Sequence, residues 1–225
     1  MRGRLALVIW LCVAPAVAAG PWPRDKGAGF VAISSDGTRQ QIHAEYGIGA
    51  DWTLGVEATR AKGHAQPSVA GFVHHPVWRG KGGAILSAGL AVETRESLAA
   101  RSWAHMAGTG ELAVRAGLFW GKGFESRWGN GWIVLEAQVE RVVTKDWIGA
   151  RHSGKLDATI GLSPHDRIKL MVQAQGWMRQ GGKPQLRIEP AAAVKFGRAH
   201  LVAAPSVGVL GPRDARVKLG LWLDF

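Results

Sequence analysis

The side chains able to do chemistry fall into two groups. The first is ionic: Glu45, Glu57, Glu93, Glu111, Arg115, Glu136, Glu140, Asp157, Lys169, Arg187, Glu189 and Lys218, with Lys155 and Arg216, occupy the polar parity of segments that alternate polar and apolar residues. Drawn away from bulk water, such ions must pair with one another or with a bound solute, because an unpartnered buried charge is costly. They can therefore fill an interior as a salt-bridge network or line a polar conduit. The second group is nucleophile-like: His152-Ser153 with Asp157 close by in sequence, and the further histidines His74, His75 and His105. A nucleophile and its base must converge in space with an orienting group, and neighbouring residues of a strand point to opposite faces, so adjacency alone defines no triad. No Asp/Glu/His spacing suits a metal, and Gly80-Lys81-Gly82-Gly83 lacks the strand-to-helix context of a phosphate-binding loop. Neither a metal nor a cofactor is expected.

The elements that must position these residues are strands of period two. Ile42, Ala44, Tyr46 and Ile48 alternate with Gln41, His43, Glu45 and Gly47. After a tight turn at Gly49-Ala50-Asp51-Trp52, Leu54, Val56 and Ala58 alternate with Gly55, Glu57 and Thr59. Similar alternation places strands near 83–94, 112–118, 133–140, 155–162, 168–175, 186–195, 199–210 and 216–225, with weaker ones near 28–36 and 68–77. Twelve strands result. In the first, Phe30 and Ala32 compete with Val31 and Ile33 for the apolar face. Pro190 and Pro205 each remove one ladder hydrogen bond. Gly20 to Ala28 is an irregular lead-in. The connections alternate between short turns near 50, 80, 164 and 198, with 121–131 as a long exception, and longer basic loops near 63, 100, 149 and 181.

Residues 1–19 have the grammar of a cleaved signal peptide: Arg2 and Arg4, an apolar run from Leu5 to Val13, and small residues to Ala19. That run is too short to span a bilayer as a helix, which takes about 20 residues. The only cysteine, Cys12, lies inside it, behind Trp10-Leu11, which do not suit lipidation. Loss of Arg2 and Arg4 leaves 26 Lys/Arg against 17 Asp/Glu, a net charge of +9 on one domain at 20–225. For an exported chain, nucleic acid is an improbable partner and anionic lipid headgroups a natural one.

Two features choose between a soluble sandwich and a membrane barrel. The apolar parity carries no charge in the clear strands, as a lipid-facing band requires, since Lys or Arg at the midplane costs roughly 2–4 kcal/mol. The polar parity mixes ions with Gly47, Gly55, Gly89, Ala91, Ala113, Gly117, Gly161, Ala193 and Gly220, which suits a crowded interior better than an open surface. Trp52, Trp78, Trp120, Trp128 and Trp132 cluster at turns, as an interfacial aromatic girdle would.

The last ten residues alternate Val217, Leu219, Leu221, Leu223 and Phe225 with Arg216, Lys218, Gly220, Trp222 and Asp224. Together with the signal peptide and the hairpin pattern, this ending resembles the closing strand of Gram-negative outer-membrane β-barrels. The resemblance covers the whole mature chain and matches no characterised member. It implies an all-β, transmembrane, antiparallel up-and-down barrel of about twelve strands in the outer membrane. It also implies that Leu219, Leu221, Leu223 and Phe225 form the signal read by the barrel-assembly machinery. The expected function is a narrow channel for small solutes, or a structural or binding barrel, with the ionic group in its lumen. The alternative is an outer-membrane hydrolase of lipid A or phospholipid using His152 and Ser153. Arg60, Lys62, Arg79, Arg95, Arg101, Lys145, Arg151, Arg179 and Lys183, placed mostly in outer loops, are expected to meet lipopolysaccharide phosphates.

Overall fold

The computed structural model describes residues 20–63, 67–96, 110–143 and 151–225. Twelve antiparallel strands run in chain order: β1 (Gly29–Ser35), β2 (Arg39–Gly49), β3 (Trp52–Ala61), β4 (Ser68–Arg79), β5 (Ile85–Glu96), β6 (Gly110–Ser126), β7 (Gly129–Val143), β8 (Arg151–His165), β9 (Ile168–Arg179), β10 (Gln185–Phe196), β11 (Ala199–Leu210) and β12 (Ala215–Asp224). Each pairs with its neighbours in sequence, and β1 pairs with β12 through Phe30↔Asp224 to Ser35↔Leu219, so the sheet closes. Phe225 continues this seam: its N–H donates to the Gly29 carbonyl at 3.0 Å and its carbonyl accepts from the Gly29 N–H at 2.7 Å. Among the described residues the only helical piece is one 3-10 turn at Lys81–Gly83.

Connections at the end of the barrel that carries Gly29 and Phe225, here the terminal end, are short. Ala50 and Asp51 both adopt left-handed φ angles of 49° and 61°, the geometry of a two-residue hairpin turn. Arg79 reaches Asp51 at 2.7 Å and ties this turn to the next. The long exception expected at 121–131 does not exist. Strands β6 and β7 run on to Ser126 and from Gly129, leaving Arg127 and Trp128 as the turn. Gly121 and Gly131, the bounds of that expected turn, make room for Pro21 and Phe124 and pair within the ladder. At the opposite, loop end, β8 starts at Arg151, so His152 and Ser153 belong to a strand.

The two faces separate by parity. Outward, Ile33, Val56, Leu90, Leu118, Val139, Leu156, Ile160, Leu201, Leu219 and Leu221 are exposed. Inward, Ala70, Ala113, Ala193 and Ala204 are at most 2% exposed and leave room between the ions. The first strand resolves with Phe30 buried and Ile33 outside. The register Ile188↔Val207 and Ala192↔Ala203 sets Pro190 opposite Pro205, so both missing donors fall in a single gap of the β10–β11 ladder. Trp52, Trp78 and Trp128 are exposed near the terminal end and Trp120 is half-buried, but Trp132 is not part of any girdle. It lies on the inward parity, 7% exposed, with its indole over Gly161, where a Cβ would collide with the ring.

Leu221 sits on the outer face between Ile33 of β1 and Leu201 of β11. Leu221→Lys should destabilise the lipid-embedded barrel by roughly 2–4 kcal/mol, measured by urea unfolding in vesicles. An unchanged unfolding midpoint would show that this face does not meet lipid.

Candidate functional site

The lumen holds an irregular cavity of about 660 Å³ reaching from Asp36, Arg39 and Arg216 at the loop end down to Gly20. Strand parity fixes what lines it: Glu45, Glu57, Glu93, Arg115, Glu136, Asp157, Arg187, Glu189 and Lys218 all border this space, as does Lys155. Glu111 and Glu140 lie nearer the loop-end rim. Glu111 takes the Arg151 guanidinium at 2.5 Å, and Glu140 accepts the Ser153 hydroxyl at 3.1 Å. Lys169 is buried near the terminal end and does not border the cavity.

The lead-in borders the lower end of the cavity at Gly20. Residues 20–28 form no strand, yet they turn into the mouth instead of away from it. Pro21 is fully buried, and its carbonyl accepts the Ser87 hydroxyl of β5 at 2.5 Å. The Arg24 N–H donates to Thr53 Oγ1 of β3 at 2.9 Å, and its Nε donates to Glu45 Oε2 of β2 at 2.6 Å. The same guanidinium lies 4.7 Å above the Phe30 ring and 3.9 Å from Asp224 of β12. Gly47 and Gly121 carry no Cβ where the Arg24 and Asp25 carbonyls and the Pro21 and Trp22 rings pass. The segment thus touches β2, β3, β5, β6 and β12 and crosses the mouth. Pro21 and Arg24 were invisible to periodicity because the segment has none.

Arg24 begins a relay of ions. His43 places Nε2 3.0 Å from Glu45 and Nδ1 3.3 Å from Glu57, an arrangement satisfied when both nitrogens donate. Arg115 closes the row on Glu57 at 2.6 Å. His43 also stacks on Phe72, centroids 5.2 Å apart. Of this row, Glu45, Glu57 and Arg115 stood out in the sequence. His43 shares their parity and was the available clue; Arg24 had none. A second cluster, on β7 and β8, sets Glu136 directly across from Asp157, with Lys155 bonded to Asp157 Oδ2 at 2.8 Å. Lys218 pairs with Glu189.

The Ser/His pair comes apart. Ser153 faces inward onto Glu140, whereas His152 is exposed on the opposite parity, and Asp157 lies deeper in the lumen. His74 faces inward and His75 outward against Trp52; His105 lies outside the described residues. No group of three or more His, Asp or Glu among the described residues is arranged to hold a metal. Of the loop cations, Arg60, Lys62, Arg151, Arg179 and Lys183 lie at the loop end. Arg79 lies at the terminal end, beside the short turn expected near 80. Arg101 and Lys145, and the side chain of Arg95, are outside the described residues.

At the rim, Asp214 binds Arg187 and Arg216, each at 2.6 Å, and Arg216 reaches Asp36 at 3.4 Å. Burial would raise the Asp36 pKa, but hydrogen bonds from the Thr38 hydroxyl, the Thr38 and Arg39 N–H groups and Arg216 outweigh it, lowering the value to about 2. A carboxylate held this way stabilises the folded chain above its ordinary pKa of about 4, and that contribution vanishes as pH falls through about 2. The stability difference between the unaltered chain and Asp36→Asn, followed by chemical unfolding, should accordingly be constant above pH 5 and fall steeply between pH 4 and pH 2. A difference undiminished at pH 2 would contradict this.

No protein-family model matches the chain, and no curated protein does. Among solved structures, the NanC porin is 10% identical with a TM-score of 0.51, covering 88% of this chain and 98% of that one. The beta domain of the Bordetella autotransporter Brka is 14% identical with a TM-score of 0.45, covering 88% and 97%. CdiB from Acinetobacter baumannii is 10% identical with a TM-score of 0.36, covering 88% and 59%. The likeness to the NanC porin is one of fold, and it agrees with the closure and facing described above. This chain shares its fold with the NanC porin: a closed antiparallel cylinder of twelve strands, oily outside and ionic within.

Proposed function

We propose that this chain is an outer-membrane barrel whose lumen is a narrow passage for small polar solutes, held shut at its terminal end by residues 20–28. The observation that carries this reading is the cavity itself. It extends from the loop-end rim, between charged walls, to a lower end bordered at Gly20 by a segment with no place in the sheet. A barrel stabilised only by ionic filling needs no such space. The name porin, borne by NanC, agrees with a conducting role. In this reading the loop end faces outward and the terminal end faces the periplasm, the signal peptide at 1–19 directs export, and Leu219, Leu221, Leu223 and Phe225 serve assembly. No step of it is catalytic.

The closure is held by polar bonds that can be exchanged for water: Ser87 to Pro21, Thr53 to Arg24, and Arg24 to Glu45. Opening costs the buried Glu45 its guanidinium, while His43 remains to it. In planar bilayers the mature chain should pass small, infrequent currents. Deletion of residues 20–27 should raise the open-state conductance severalfold while the barrel still folds, as judged by its circular dichroism. Equal currents, or none in either protein, would overturn the reading.

We also assign the loop-end cations a lipid contact. Arg60, Lys62 and Lys183 are exposed at the rim, where phosphates of lipopolysaccharide would neutralise them. Replacing all three by glutamine should weaken retention of lipopolysaccharide on the purified barrel and leave its folding in detergent unchanged. Equal retention would count against the contact.

A further inference from the structure

One stretch of the lumen wall has hydrogen-bonding capacity that the protein itself leaves unused. It runs across four strands: His74 on β4, Phe119 on β6, Glu136 on β7 and Asp157 on β8, all bordering the cavity. Glu136 is the cross-strand neighbour of both Phe119 and Asp157, and the His74 and Phe119 rings have centroids 6.3 Å apart. The four side chains are therefore contiguous. Between β4 and β7 the wall is bare at Gly89 and Gly117, and the Phe119 ring lies along it. A Cβ at either glycine would approach that ring to 3.0 and 2.8 Å respectively.

Each end of the stripe has a buried polar atom without a hydrogen bond among the described residues. His74 is 5% exposed, and neither of its ring nitrogens has a hydrogen bond among the described residues. Asp157 is 2% exposed; its Oδ2 takes the Lys155 ammonium, and its Oδ1 is buried with none. Two adjacent carboxyl groups share one ammonium, and it bonds to Asp157, so Glu136 has no cation of its own among the described residues in a place largely withdrawn from water. Elsewhere in the lumen, Glu45 and Glu57 are served by Arg24, His43 and Arg115, and Glu189 by Lys218. Charge-assisted bonds from a cation are the strongest available to a carboxylate pair, and an aromatic face beside them favours the same sign of charge.

We propose that this stripe is a binding site for a small aliphatic amine. Its ammonium lies between Glu136 and Asp157 Oδ1, its carbon chain lies on Phe119, and a second polar group reaches His74. An imidazole can accept from one such group or donate to it, so diamines and amino alcohols both fit, whereas dicarboxylates are repelled. The site rests on the reading of the lumen as a solute passage and names what that passage selects.

The test is isothermal titration of the folded mature barrel with 1,4-diaminobutane, with 1,4-butanediol and succinate as controls. The diamine should bind and the controls should not. Glu136→Gln and Phe119→Leu should each weaken diamine binding at least tenfold, with circular dichroism unchanged. Equal binding of the diol, or undiminished affinity in Glu136→Gln, overturns the site. Binding is measured without current, so a barrel that conducts but takes up no diamine overturns this site alone. One that binds the diamine yet never conducts supports the site and counts against the passage.

Discussion

A backbone crossing hydrocarbon has no water to satisfy its N–H and C=O groups, and each group left unpaired costs several kcal/mol. In the membrane setting proposed for this chain, the pairing of β1 with β12 meets this constraint by leaving no edge, and Phe225 extends it by one residue against Gly29. Once the sheet is closed, strand alternation has only one assignment consistent with such a setting: the parity that is uncharged away from the strand ends lies outside, and the ions of the other parity turn inward. Even the irregularities respect this limit. Pro190 and Pro205, each a lost donor, are set opposite one another so that a single gap absorbs both.

Enclosure then dictates the chemistry of the lumen. Ions crowded into a cylinder of this width cannot all remain solvated, and most of them answer with short pairs: Arg24 with Glu45, Arg115 with Glu57, Lys155 with Asp157, Arg187 with Asp214. Small residues such as Ala70, Ala113 and Ala204 keep the ions from filling the whole section, and the space that remains is the cavity. Net stability from such pairs is modest, because desolvation offsets attraction. Their effect is instead to hold particular side chains at particular heights, as the proposed passage would require.

Alternation made the strands legible, and the absence of charge from one parity made the facing legible wherever that parity was clear. Phe30 against Val31 was undecidable because both candidates are apolar; the Arg24 guanidinium over the Phe30 ring decides it. Glycine misled at 121–131, where it makes space for neighbouring rings within continuous strands instead of breaking them. Trp132 misled in the same way, since an aromatic residue near a turn suits the interface and a glycine-lined interior alike. Residues 20–28 carry no period at all, and their role depends on contacts with five strands that only folding brings together. His152 and Ser153, neighbours in sequence, are separated by the wall itself.

The enclosure of ions behind an oily outer surface is most directly tested along β9, in a chain of residues 20–225, which contains no cysteine. Single cysteines substituted at each position from Lys169 to Gln175 would be spin-labelled in vesicles, and their collision rates with oxygen and with a water-soluble paramagnetic complex compared. The account predicts strict alternation, with Leu170, Val172 and Ala174 accessible to oxygen from the lipid and Lys169, Met171, Gln173 and Gln175 not. Uniform accessibility, or lipid contact at the second set, would contradict it.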